Sequence, residues 1–526
     1  MFTTKKIITL ILIFIFALSL RVWNLNQMGR TWDESAYVDV GYKFVQLIEK
    51  GDLGNKFFNQ WVDEPPLARY IYGIAESQGA KTVQGKTVFN YDYTYARLAS
   101  ALMSSVAVIL IVLIGWEFVS YSVGIFSAII FAMLPFFLGL SQLATLESPL
   151  VLTFTAAVYS FLKFIKNQSY KNAIIVGLFL GLAVLTKYTN ALLVPLFVVI
   201  YIVWKFSNPK GKINLLIRKI VLMIATSMVV FFIFWPMALI NFSSTVVSTY
   251  NLRSGLGKYP DIEIFFGRLM HLPVFYFFVM FLITTPLVIL MLFFIGSKYI
   301  SDYCTKTDVI QRAKKDGFIA QKWFLYALLI WFCLPFIQSF YNFRHHGVRF
   351  IIEIYAPFSI IAAIGFDYVV RKFTNKTILK FLLFIPILLY LFITLFKITP
   401  YYLDYYNGVV GGTKTVYEKR LFELGWWGQG MKEAGNYLQK NAKPQSKIGL
   451  FISPLQVFPV LKDQKLIFID PNKGVYNPKI KYDYIVVNYY HVLREGFDDS
   501  GIKRDYRLLY EVKADGGVLV WIYTKK

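Results

Sequence analysis

The chain has 526 residues, of which 56% are hydrophobic and only 16% charged, and its mean hydropathy is +0.51. Its apolar residues stand in unbroken blocks such as Ile7–Leu20, Ala173–Leu185 and Phe381–Phe396, near the length that crosses a hydrocarbon core of ~30 Å, and this excludes an ordinary soluble protein. The formal charge of +24 does not point to nucleic acid, because the basic residues gather in short loops between apolar blocks, as the positive-inside rule predicts for cytoplasmic loops.

Taken in chain order, the first block follows Lys5 and Lys6 like a signal peptide. No small-residue cleavage pattern follows it, so it is expected to be an uncleaved first helix. Eleven spans are predicted, near 6–22, 95–116, 121–140, 147–165, 172–187, 189–206, 218–240, 272–296, 323–342, 348–370 and 378–397. With the amino terminus inside, the loops carrying Lys163 to Lys171, Lys205 to Lys219, Lys298 to Lys322 and Arg371 to Lys380 are all cytoplasmic. An odd span number then places the carboxyl-terminal part outside. The two cysteines, Cys304 in a cytoplasmic loop and Cys333 inside a span, are not placed to bridge.

The first external loop, 23–93, carries an amphipathic stretch with Ala36, Val40, Phe44, Leu47 and Ile48 on one helical face, closed by Gly51. That is the pattern of a helix lying on a membrane surface. A second external loop runs near Asn241–Met270. From Pro400 the composition changes: prolines punctuate short strand-like runs at Ile448–Ile452, Leu466–Ile469, Tyr484–Val487, Leu508–Val512 and Val518–Tyr523. Gln429–Lys440 reads as a helix, and Ala514-Asp515-Gly516-Gly517 as a hairpin turn. The expected organisation is a helical multi-span membrane domain over 1–399 and a small extracytoplasmic α/β domain over 400–526.

Chemistry-bearing residues recur at the outer ends of these spans. Asp33-Glu34 follows the first helix, and Asp63-Glu64-Pro65-Pro66-Leu67-Ala68-Arg69 comes later in the same loop. Taken alone, such acids would cap helices and complement their dipoles, and prolines would open one. Arg97 begins the second span, Glu147 the fourth, and Lys187 ends the fifth on a side where the positive-inside rule gives no reason for a lysine. His345, His346 and Arg349 join two later spans on that side. Ionisable groups at membrane depth are costly and so are usually paired or functional. An acid cluster beside a basic cluster suits deprotonation of an acceptor hydroxyl and retention of a phosphate leaving group.

At these residues the chain resembles the membrane glycosyltransferases of the protein O-mannosyltransferase and aminoarabinose-transferase (ArnT-like) type, which share the GT-C fold. The carriers are Asp33-Glu34, the Pro65-Pro66-Leu67 motif, Arg97-Leu98, Gly181 to Lys187, the segment Pro400 to Asn407, Gly411-Gly412 and Trp427-Gly428-Gln429-Gly430. Glu64 stands where the family often has histidine or lysine, and Glu147 where it more often has aspartate.

The resemblance implies inverting transfer from a polyprenyl- or dolichyl-phosphate sugar to a hydroxyl acceptor, a protein Ser/Thr or an envelope lipid or glycan. Asp33 would be the general base and Glu34 its orienting neighbour. Arg69, Arg97, Lys187 and Arg349 would supply cations to the phosphate, with Asp63, Glu64, Glu147, His345 and His346 completing the binding site. The acids do not form a DxD metal motif, so no metal cofactor is expected to be required, although paired acids and His345/His346 could hold a divalent cation. The expected partners are the lipid-phosphate sugar donor, a protein or glycolipid acceptor and membrane lipids, with no nucleic acid. A transporter or flippase would also bury charges among helices, but it would show repeat symmetry and helices broken near the midplane.

Overall fold

The computed structural model describes residues 3–83, 86–208, 213–256, 262–315, 318, 320–340, 346–470 and 476–526. Each of the predicted apolar blocks is helical. Among the described residues, eight helices are long and apolar enough to cross a membrane, and a ninth if the bent pair Tyr121–Ala132 and Pro135–Ser141 is one span. The other two blocks are α1 (Thr4–Val22), which carries Lys5, Lys6 and Arg21, and the 17-residue helix Tyr170–Thr186.

Three spans depart from the expectation, the simplest being 218–240, where non-helical Trp235 separates Ile213–Phe234 from Pro236–Ile240. The block at 121–140 bends by 69° where Pro135 restarts the helix, because proline cannot donate to the preceding turn and disfavours a helical residue before it. The block at 272–296 is split: Tyr276–Thr284 ends before Pro286, and the long helix is Leu287–Thr305.

Loop 23–93 folds into two helices, α2 (Glu34–Glu49) and α3 (Leu67–Ser77), before α4 (Thr94–Phe118). Here the sequence expectation is corrected. The apolar face of α2 does not lie on a membrane surface; Val40, Phe44 and Leu47 are buried against Phe58, Val62, Tyr70, Leu185, Trp235 and Met237. An amphipathic face can be covered by protein as well as by lipid, and only Ile48 of the predicted stripe stays exposed. Helices α2 and α3 cross backbone to backbone. A Cβ on Gly41 would fall 1.9 Å from the Arg69 carbonyl oxygen, and one on Gly73 would fall 2.2 Å from the Gly41 carbonyl carbon.

After the last span, Thr377–Ile398, the chain builds a five-stranded sheet. Parallel strands Lys465–Ile469, Lys447–Phe451 and Tyr484–Asn488 lie in that order, followed by antiparallel Gly517–Lys525 and Tyr506–Ala514. The last two are joined at Asp515 and Gly516, both at positive φ, as a two-residue hairpin of this twist requires. This sheet is not an independent body, since its core residues, among them Ile448 and Val520, belong to one buried cluster with the spans. A second hairpin, Ile262–Phe265 with Arg268–His271, makes an isolated bridge from Phe265 to Phe422 in the segment that leads into the sheet.

Candidate functional site

The site begins at the amino-terminal ends of α2 and α3. Asp33 occupies the residue before α2, yet its side chain does not cap the helix. It turns instead to Arg349, whose Nη2 donates to Asp33 Oδ2 at 2.8 Å. The same guanidinium lies 3.2 Å from Glu147 Oε1 and 4.3 Å from the Trp427 ring centroid. Of these charged side chains Asp33 is the one open to solvent, at 33% exposure against 10% for Arg349 and 4% for Glu147. Its Oδ1 has no hydrogen bond among the described residues. A capping role is thereby excluded, and a half-exposed carboxylate fixed through one oxygen is what a general base needs.

Glu34 is built differently. It is fully buried and holds Arg97 bidentately, with Nε to Oε1 at 2.7 Å and Nη2 to Oε2 at 2.6 Å. Its remaining capacity is taken by the Thr31 amide and hydroxyl and by the Ala144 amide. Arg97 spends its other donors on the Leu25 and Gly29 carbonyls. Arg69 is likewise engaged by Asp63 Oδ1 at 2.6 Å and by the carbonyls of Trp61, Glu64 and Ala36. Arg69 and Arg97, two of the three arginines predicted to meet a phosphate, are therefore directed at protein groups, and each ties a turn to a helix. Local sequence could not distinguish these uses, because each partner depends on how loop 23–93 returns on itself.

Lys187 is the contrasting cation. It sits in extended backbone between the helix Tyr170–Thr186 and the turn Tyr188–Leu192, and is 4% exposed. Among the described residues its Nζ has neither a hydrogen bond nor an ion pair, and it lies 4.9 Å from the Phe350 ring centroid. Arg349 lies over the same ring at 5.2 Å, so the two cations flank one aromatic side chain. Glu64 reaches this turn, its Oε2 accepting from the Tyr188 amide at 3.4 Å. The Lys187 charge is felt by the buried Glu353, but an ammonium that makes no hydrogen bond leaves its donors open to an anion.

His346 stands to one side. Its imidazole stacks on Trp426 at 5.5 Å, and its Nδ1 lies 3.0 Å from Glu263 Oε1. Burial alone would raise the Glu263 carboxyl, but His346 beside it and the Tyr276 hydroxyl hold it down to about 2. Glu263, His346 and Glu423 each offer a ligand atom, all within 4.8 Å of one another. Glutamate and histidine oxygens and nitrogens suit a divalent cation such as zinc or manganese. Glu263 already accepts from Tyr276 and Glu423 lies 3.2 Å from Arg494, however. His345 lies outside the described residues.

The family model for dolichyl-phosphate-mannose-protein mannosyltransferase matches residues 83–239, the segment that contains Arg97, Glu147 and Lys187. The solved oligosaccharyltransferase of Archaeoglobus fulgidus, tethered with an acceptor peptide, is similar in fold with a TM-score of 0.52 at 12% identity, over 99% of this chain and 74% of that one. The chain has the fold of the GT-C membrane glycosyltransferases. Other similar structures are ArnT from Cupriavidus metallidurans bound to undecaprenyl phosphate (12% identity, TM-score 0.48, 97% of both chains) and the Saccharomyces cerevisiae Pmt1–Pmt2 complex bound to the sugar donor (22% identity, TM-score 0.36). The yeast match covers 47% of this chain and 35% of the yeast chain. No curated protein sequence matches.

In this chain some residues around the site carried no assignable signal. Burial, followed by the Asp33, Asp63 and Glu147 charges, pushes the Tyr37 phenol well above its usual range, which places Tyr37 at the centre of the acid cluster. Tyr37 belongs to the same short motif as Asp33 and Glu34, so its position was the available hint. Trp426 and Trp427 come from the segment after the spans, and Glu263 from a hairpin with no recognisable motif.

Proposed function

We propose that the protein is a glycosyltransferase that moves a sugar, with inversion, from a polyprenyl- or dolichyl-phosphate carrier to an acceptor hydroxyl on the outer side of the membrane. The acceptor oxygen forms a bond to the anomeric carbon while the bond from that carbon to the carrier phosphate breaks. Asp33 takes the hydroxyl proton, a contribution of typically ~10²–10⁴-fold. The carrier phosphate leaves as an anion, so it needs cations rather than a proton donor. Lys187 and Arg349 fill that role, while Arg97 and Glu34 hold the segment that presents Asp33.

The observation that carries this reading is the meeting, around Phe350, of a buried lysine that makes no hydrogen bond among the described residues with an arginine that already fixes the half-exposed acid. The side of the membrane is inferred from charge, since the basic loops lie at the opposite ends of the spans from Asp33. Those loops are short, the longest about 26 residues, far below the ~50 residues of the smallest usual domain, so a nucleotide-sugar donor has no soluble domain to bind. The sheet over 400–526 then stands outside with the site. The test is a transfer assay on purified protein, offered lipid-phosphate sugars and nucleotide sugars in turn. Turnover with a nucleotide sugar in the absence of a lipid carrier would overturn the proposal.

A further inference from the structure

The turn that carries Asp33 is held from two directions, and only one of them is the membrane domain. From below, Arg97 on α4 donates to the Leu25 carbonyl at 3.1 Å and to the Gly29 carbonyl at 2.5 Å while gripping Glu34. From above comes the helix Met431–Asn441 of the carboxyl-terminal part. Lys432 Nζ on that helix donates to the Asn26 carbonyl at 2.8 Å and to Asp92 Oδ2 at 2.6 Å. Gly29 has φ +89°, and a Cβ there would fall 2.8 Å from the Lys432 Cβ, so turn and helix are in direct contact.

The first turn of this helix is itself anchored. Glu433 accepts from the Tyr401 hydroxyl at 2.7 Å and from the Tyr510 hydroxyl at 2.8 Å, which ties it to the exit of the last span and to the sheet. Tyr91, one residue before Asp92, donates its hydroxyl to the Val457 carbonyl and accepts from the Arg30 amide. The contacts therefore form an unbroken path from the sheet through Lys432 to the 24–30 turn, on to Arg97 and Glu34, and so to Asp33.

We infer that Lys432, with Asp92 as its counter-charge, is a positioning residue that lets the carboxyl-terminal domain set the placement of the base. The inference rests on the role proposed for Asp33. Lys432 does not reach Asp33 or Arg349; it acts by closing the turn whose carbonyls Arg97 needs. An arginine held by four hydrogen bonds is fixed in orientation, and displacing a reacting group by about 1 Å can cost ~10²-fold in rate. Removing the ammonium frees the Asn26 carbonyl and Asp92, lets the turn relax, and leaves the donor cations untouched.

The experiment compares full-length Lys432→Met and Lys432→Arg with wild type in two measurements. Hydrogen–deuterium exchange needs no substrate: Lys432→Met is expected to take up deuterium faster in 24–36, with 447–525 unchanged, and Lys432→Arg to restore protection. In transfer from a lipid-phosphate sugar, Lys432→Met is expected to lower kcat by roughly ten- to hundredfold with donor KM unchanged, again restored by arginine. Wild-type exchange in 24–36 would overturn the inference, as would loss of protection throughout 400–526, which marks a general docking contact. Faster exchange in 24–36 with wild-type kcat would overturn it as well. A wild-type protein inactive with every lipid-linked donor would defeat the proposed function, and the exchange result would still decide the coupling.

Discussion

Two charge clusters at the same end of the spans are built on opposite plans. In the first, Glu34 with Arg97 and Asp63 with Arg69, each arginine is closed on a carboxylate and on backbone carbonyls. In the second, Asp33 keeps a free oxygen and Lys187, near the buried Glu353, makes no hydrogen bond among the described residues. The contrast separates framework from chemistry. A buried charge whose every valence is met can fix a fold but has nothing left to offer a substrate, whereas an acid and a cation left incomplete in the same place can. The sequence presents all of these residues alike, as membrane-level charges.

The comparison can be broken by substitution, and the largest expected effect is on the open cluster. Asp33→Asn keeps the shape and the Arg349 contact but removes the base, so transfer should fall by about 10²–10⁴-fold with donor binding and melting temperature near wild type. Comparable turnover by the two purified proteins would refute the assignment. Next is Arg97→Ala, which strands Glu34 as an uncompensated buried charge. It should cost about 3–5 kcal/mol of stability, read as a large fall in melting temperature in detergent. If Arg97→Ala melts normally and loses only donor affinity, Arg97 belongs to the open cluster after all.

Lys187→Met should do the reverse. Donor affinity should weaken by roughly ten- to hundredfold, since a hydrogen bond to a charged group contributes ~1.5–3 kcal/mol, while melting stays level or rises, and a calorimetric titration with lipid phosphate reads the first part. The smallest effect is at the edge of the closed cluster. Asp63 is 40% exposed, so Asp63→Asn should cost less than about 1 kcal/mol.

A pH test addresses the join between the spans and the sheet. Burial pushes the Asp404 carboxyl up to about 7, against the Gly425 amide that favours its charged form. A folded-state value above the unfolded one means the contribution is complete below the usual value near 3.8 and is lost as pH rises through 7. Stability should therefore decline between pH 4 and 7, in the window set by those values, and Asp404→Asn should flatten that part of the curve in a melting series.

Much of the fold was legible because its signals are local. Every apolar block became a helix, and the strands and the Asp515-Gly516 turn fell within a residue or two of where alternation and turn chemistry placed them. Pro135, Pro236 and Pro286 marked the breaks, although the apolar runs around them concealed the effect. Partner choice was not legible. Asp33 and Arg349 are 316 residues apart, and nothing in either neighbourhood says that they pair. The α2 stripe identified a buried face but not what buries it, because Val40, Phe44 and Leu47 satisfy protein and lipid equally well.

The crossing of α2 and α3 has a mechanical consequence. With Gly41 and Gly73 the contact is main chain on main chain, and there are no rotamers at the crossing to absorb a displacement. The two helices share a pivot and act as a single lever. Asp33 stands at the head of one and the Asp63–Arg69 pair at the head of the other. A displacement of either head is therefore carried to the other through the crossing.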